Sequence, residues 1–278
     1  MSRAILSISL ILAVIAGVGP AVAQPATAPQ PPLAPLSDRL VSYADVAELA
    51  LDSPVIVRAS ITRADRVGAA AAQGVAAGRM RLLVTAAVSN VLIAPGAMAG
   101  TLQWLWDAPT DARGRPPAAK GLDVIAFLAV PGVGGATRLA TRRGQQPYDP
   151  ALADRVRAIA GEARSGTIPM VRGVASGFRA DGTIPGESES QFFLTTADGK
   201  PATLVVQNRP GETRRVLVAQ GDIIDDSARR VAPESLLWYR LACFLPRTLP
   251  AAAGGSDAAL ARDWRDAMAS LGPCGKTG

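Results

Sequence analysis

At Pro54 the spacing of apolar residues switches from helical to alternating, and that switch most constrains the fold. Before it, SYADVAELALDS (42–53) carries Ser42 as a helix N-cap with Asp45 three residues on, the pattern of a capping box. Val46, Leu49 and Ala50 share one face, and Pro54 ends the run, which predicts a helix over 43–51. After it, PVIVRASITRA (54–64) sets Val55, Val57, Ala59 and Ile61 against Ile56, Arg58, Ser60 and Thr62, as a half-buried strand does. RMRLLVTAAVSNVL (79–92) reads as a second, long strand, and TLQWLWDA (101–108) as a third with Leu102, Trp104 and Trp106 on one face. GLDVIAFLAVPG (121–132) is apolar on both faces and predicts a central strand. ATRLATRR (136–143) is expected to close the set. One helix, five strands and uneven loops predict a small barrel or strongly curled sheet.

The run SPVIVRASI, RMRLLVTAAVSNVLIAPG, TLQWLW, GLDVIAFLAVPG and ATRLA resembles the OB-type barrels of secreted bacterial proteins of unknown function. More loosely, it is similar to netrin/TIMP-like barrels. The resemblance covers residues 43–143 and implies a barrel fold without a catalytic motif.

Beyond Pro150, PALADRVRAIAGEAR predicts a helix on Leu152, Val156 and Ile159, stopped by Gly166. ESQFFLTT (189–196), PATLVVQ (201–207) and RRVLVAQ (214–220) are separated by turns at Asp198-Gly199 and Pro210-Gly211. They predict an antiparallel β-meander of three or four strands over about 170–224. Two helices follow, PESLLWYRLACFL (233–245) and SDAALARDWRDAMASL (256–271). The fold class is therefore mainly β with flanking helices (α+β): a small OB-like barrel, then a meander, then a C-terminal helical pair. The expected organisation is a signal peptide over 1–23, a Pro-rich linker over 24–37, an OB-like module over 38–149, and the helix, meander and helical pair over 150–278.

The leader reading rests on Arg3, the apolar run 4–18, Gly19-Pro20 and Ala21-Val22-Ala23, the order of a secretory signal with an A-x-A cleavage site. An uncleaved anchor helix is the alternative. QPATAPQPPLAPL (24–36) holds five Pro and no charge, which suits an extended linker. The expected location is periplasmic or secreted, as a soluble protein with no integral membrane span after signal removal.

In an oxidising compartment two Cys most simply pair, so Cys243 and Cys274 are expected to form one disulfide that pins the helical pair. A reactive thiol would need a base to lower its pKa, and the chain has no His. That absence also excludes Ser-His-Asp catalysis, His-ligated zinc and copper sites, and H-E-x-x-H proteases. No C-x-x-C or S-x-x-K occurs. GPCGKTG (272–278) contains Gly-Lys-Thr but lacks the first Gly of a P-loop, since Ser270 stands there. PGVGGA (131–136) lies between strands and reads as a hairpin loop. A net charge of +6 spread over isolated basic pairs does not make a nucleic-acid footprint.

Carboxylates remain for chemistry. Glu187 and Glu189 share one face of a strand start, and Asp222, Asp225 and Asp226 cluster in GDIIDDS. Such groups suit glycosidic acid–base work or Ca²⁺, or are solvated strand ends and turns. Trp104 and Trp106 would stack a sugar or base, or fill the barrel core. The candidate ligand-binding residues are thus Trp104, Trp106, Glu187 and Glu189. No catalytic residue, metal site or cofactor is implied. The expected function is a non-enzymatic periplasmic binding or interaction module, whose partner is an envelope protein or glycan and not a nucleic acid. The alternative is a carboxylate-dependent hydrolase acting on envelope polysaccharide.

Overall fold

The computed structural model of the chain describes residues 38–40, 42–130, 137–220 and 228–277. The leader 1–23, the linker 24–37, the loop 131–136 and the cluster of Asp222, Asp225 and Asp226 lie outside the described residues. Two five-stranded antiparallel sheets and four helices make up the described part, so the chain is mainly β with flanking helices.

Helix α1 (Tyr43–Asp52) has the expected capping box. Asp45 N–H donates to Ser42 Oγ at 3.1 Å, and Ser42 N–H donates to Asp45 Oδ2 at 3.3 Å. These bonds satisfy two backbone donors that the first turn would otherwise leave open. Strands β1 (Val55–Arg66), β2 (Arg79–Ile93), β3 (Thr101–Pro109), β4 (Asp123–Leu128) and β5 (Gln145–Pro147) form the first sheet, in the order β3-β2-β1-β4-β5. Register shifts along the β1–β2 pair, at Ile56/Val57, Arg58/Ala59 and Ile61/Arg63, bend these long strands and curl the sheet into a half-barrel. Strands β3 and β5 stand at its edges, and no pairing between described strands closes it.

Among the described residues of the expected fifth strand (136–143), no strand is formed. Leu139 makes one bridge to Leu128, and the chain then turns so that Gly144 O accepts from Phe127 N–H at 2.7 Å. The paired segment is Gln145–Pro147 instead, two residues further on. The central strand behaves as its composition predicts. Val124, Ala126 and Leu128 face a core with Val57, Ile61, Val84 and Trp104, while Ile125 and Phe127 face the helices. Each fully buried aliphatic or aromatic side chain there contributes roughly 1.5–3 kcal/mol.

Helix α2 (Pro150–Ser165) starts at Asp149, whose side chain caps Ala151 N–H, and stops at Gly166, which takes φ +64°. Ala153, Val156 and Ile159 pack with α1 against Ile56, Ile125 and Phe127. The second sheet is a sequential meander of β6 (Val171–Asp181), β7 (Ser188–Thr196), β8 (Thr203–Asn208), β9 (Arg215–Ala219) and the short β10 (Arg229–Arg230), which the sequence reading lacked. Its inner face carries Phe192, Leu194, Leu204, Val206 and Val218.

Helices α3 (Leu236–Phe244) and α4 (Ala258–Leu271) follow, capped by Ser235 and Asp257. The cap of α3 lies two residues beyond the expected start at Pro233, and Glu234 just before it takes φ +51°. Helix α4 buries Leu260, Trp264, Ala267 and Leu271 against the meander. The broad apolar band of α3 divides its contacts. Leu236 and Tyr239 enter the core under α1 and α2, whereas Leu241 enters the core under the meander. Trp238 touches both and donates Nε1–H to Leu271 O at 2.7 Å. Residues on both sides of Asp149 thus share cores, and the described residues fall in one compact unit. Cys243 Sγ and Cys274 Sγ lie 2.07 Å apart, at disulfide distance.

Candidate functional site

The β6–β7 hairpin builds a cleft at one end of the meander. Its loop 182–187 is closed by Gly182 N–H donating to Glu187 O at 2.8 Å. The cleft has a volume of about 260 Å³ and is lined by Asp181, Glu187, Glu189, Gln207, Asn208 and Arg209, among others. Strand pairing sets Glu189 opposite Gln207 of β8. Gln191 Nε2 donates to Glu189 Oε1 at 2.8 Å, and Gln207 Nε2 donates to Glu189 Oε2 at 2.9 Å. One amide therefore orients each carboxylate oxygen. Gly182 leaves room for Glu187, since a Cβ at that position would sit 2.6 Å from Glu187 Cγ.

Beneath the cleft, Asp263 of α4 is buried at 2 % exposure. It accepts from Ser190 Oγ at 2.6 Å, from Arg179 Nη1 at 2.5 Å and from Asn208 Nδ2 at 3.4 Å. Asn208 Nδ2 also donates to Ser188 Oγ at 3.0 Å, and Arg214 Nε donates to Asn208 Oδ1. Arg214 pairs in addition with Asp266. Asn208 thus belongs both to the cleft wall and to the ion-pair network, which fixes that wall to α4. Hydrogen bonds to buried ionised groups are among the stronger ones in proteins.

Phe178 lies on the same face of β6 as Ala180, two residues away, and Ala180 lines the cleft. That spacing is about 6.5 Å along a strand. Phe178 is 57 % exposed. A flat apolar ring beside amides and carboxylates provides a stacking surface next to directional hydrogen-bond groups.

Of the sequence-derived candidates, Glu187 and Glu189 meet in this cleft. Trp104 and Trp106 do not line it. Trp104 is buried in the half-barrel core, where its Nε1–H donates to Gln145 Oε1 at 2.8 Å. Trp106 packs partly buried against the same core. No group of His, Cys, Asp and Glu able to hold a metal ion occurs among the described residues. No helix among them is long and apolar enough to cross a membrane.

A second cleft, of about 390 Å³, lies between α1 and the turn 141–143 and is lined by Leu40, Asp45, Glu48, Leu49, Asp52 and Arg143. The Asp45 side chain is fully buried and accepts from Arg143 Nη1 at 3.1 Å. It also accepts from Thr277 N–H at 3.1 Å and from Thr277 Oγ1 at 2.8 Å. Burial alone would raise its pKa, but the bonds from Arg143 and Thr277 outweigh burial and hold the carboxyl well below the usual carboxylate range.

Sequence reasoning missed Phe178, Arg179, Asn208, Asp263 and the partners of Asp45. One signal was present for Asp263, which sits on the apolar stripe of α4 between Leu260 and Ala267. A charge on a buried face implies buried partners. No protein-family model matches the chain, and no curated protein is significantly similar to it.

Proposed function

We propose that the chain is an exported binding module that holds a glycan of the cell envelope in the β6–β7 cleft. The observation that carries the reading is the lining: Glu189 held between two glutamine amides, with Asp181, Arg209 and exposed Phe178 beside it. Sugars offer hydroxyl donors to such carboxylates and apolar ring faces to such aromatics. Glu189 suits acceptance of ligand hydroxyls, because each of its oxygens is already oriented by an N–H. The Cys243–Cys274 pair supports export, since disulfides persist in oxidising compartments. The resemblance of residues 43–143 to secreted OB-type barrels belongs to the same proposal.

Isothermal titration of the purified protein with soluble peptidoglycan fragments and neutral oligosaccharides tests it. Binding that weakens about tenfold in Glu189→Ala, the loss of ~1.5 kcal/mol expected for one hydrogen bond to a charged group, supports the reading. No binding to any fragment, or equal binding by Glu189→Ala, overturns it. Crosslinking of an envelope protein without glycan affinity would turn it toward a protein partner.

A second reading has one observation in its favour: Glu187 and Glu189 line a single cleft, as a carboxylate-dependent hydrolase of envelope polysaccharide requires. It expects turnover of those fragments that Glu187→Gln or Glu189→Gln abolishes. Binding without turnover decides for the first reading.

A further inference from the structure

Beyond α4 the chain turns at Gly272, and residues 273–277 run back to α1 as a strap. Three attachments hold it. Cys274 is joined to Cys243 near the end of α3. Lys276 Nζ donates to Glu48 Oε1 at 2.6 Å and lies 5.7 Å from the Tyr239 ring. Thr277 gives its N–H and hydroxyl to Asp45, and its hydroxyl also accepts from Arg143 Nη2 at 3.2 Å.

The strap buries little of itself. Pro273, Gly275, Lys276 and Thr277 are exposed, and Cys274 alone is partly buried. What it covers is buried: the Asp45 side chain is fully inaccessible and the Arg143 side chain is 12 % exposed. An exposed ion pair such as Lys276–Glu48 holds a flexible segment weakly. A covalent tie changes this by keeping Lys276 and Thr277 at high effective concentration beside their acceptors.

We propose that the Cys243–Cys274 disulfide latches a redox-sensitive strap over the Asp45–Arg143 pair. With the bond closed, residues 273–277 cover α1. Reduction by a dithiol breaks the S–S bond with two electrons and two protons, leaves two thiols, and releases the reductant as its own disulfide. The strap then leaves α1, and Asp45 and Arg143 face solvent. The core contacts of α3 and α4 do not depend on the strap, because they run through Leu236, Tyr239, Leu241, Leu260 and Trp264.

Hydrogen exchange of the full chain, oxidised and dithiol-reduced, tests the latch. The Thr277 amide and the peptide covering 42–52 are expected to exchange at least ~10-fold faster after reduction, with both sheets and α4 still protected. Unchanged exchange at these positions overturns the proposal, and so does complete loss of protection across both sheets, which would mean that the fold opens as a whole and not at the strap. The Lys276→Ala/Thr277→Pro double variant keeps the disulfide but removes the Lys276 ammonium, the Thr277 hydroxyl and the backbone N–H that grip α1. Faster exchange over 42–52 in this variant without reductant supports the cover, and unchanged exchange there overturns it.

Discussion

Thr277 and Asp45, 232 positions apart in sequence, share two hydrogen bonds, from the Thr277 backbone N–H at 3.1 Å and its hydroxyl at 2.8 Å. The same carboxylate caps Ser42 N–H at the start of α1 and accepts from Arg143. One side chain therefore joins the first described helix, the turn after β4 and the last described residue. A group with so many partners is expected to dominate the acid response of the fold.

The sign of that response follows from the depressed pKa of Asp45. A carboxyl held below its unfolded value of about 3.9 stabilises the fold above that pH and loses its contribution as pH falls toward the folded value. Asp45→Asn is expected to cost about 3 kcal/mol at pH 7, because it leaves the Arg143 charge uncompensated. Between about pH 4 and pH 2 the difference between wild type and variant should shrink. Urea unfolding at several pH values measures this, and a pH-independent difference would refute the assignment.

Cys243→Ser, Cys274→Ser and the double variant should each lose roughly 3–4 kcal/mol, the chain-entropy value for a loop of this length. The sequence separation of the pair is 31. The double variant should be no weaker than either single one, since all three remove one bond. A double variant that loses twice as much would give each sulfur a separate role.

Trp104→Phe removes the N–H that satisfies the buried Gln145 carbonyl. A loss of about 2 kcal/mol is expected in thermal or denaturant unfolding. Glycan titration of this variant should match wild type, because Trp104 lies in the half-barrel core and not along the β6–β7 cleft. A stable variant with altered binding would return Trp104 to the ligand site.

Asp263→Ala should cost about 3–5 kcal/mol, since it strips Arg179 and Ser190 of a buried partner. Arg179→Ala should cost less, because the Arg179 side chain keeps 23 % exposure and the remaining carboxylate retains Ser190 and Asn208. Unfolding free energies of the two variants, measured side by side, check the order. The reverse order would mean that Arg179, and not Asp263, is the hub.

The β6–β7 cleft was half legible in advance. Glu187 and Glu189 stood out as carboxylates two apart, and alternation placed them on one strand face. Gln207 and Asn208 gave no signal, because their role comes from strand pairing that sets Gln207 opposite Glu189 and Asn208 opposite Ser188. Phe178 lay in RGVASGFRADG, a stretch too rich in Gly and polar residues to show its alternation.

Local rules were enough wherever neighbours in sequence decide the outcome. The capping box of α1, the both-sided burial of β4, the stop at Gly166 and the apolar stripe of α4 all follow from spacing and side-chain chemistry. With only two Cys, the pairing of Cys243 with Cys274 had one solution. Tertiary structure alone decided the half-open curl of the first sheet, the division of α3 between two cores, and the strap that brings Thr277 to Asp45. Those features depend on contacts between distant segments, whose free energy is set by the shape and polarity of the partner surface. Periodicity tells a segment which face to bury, but not against what.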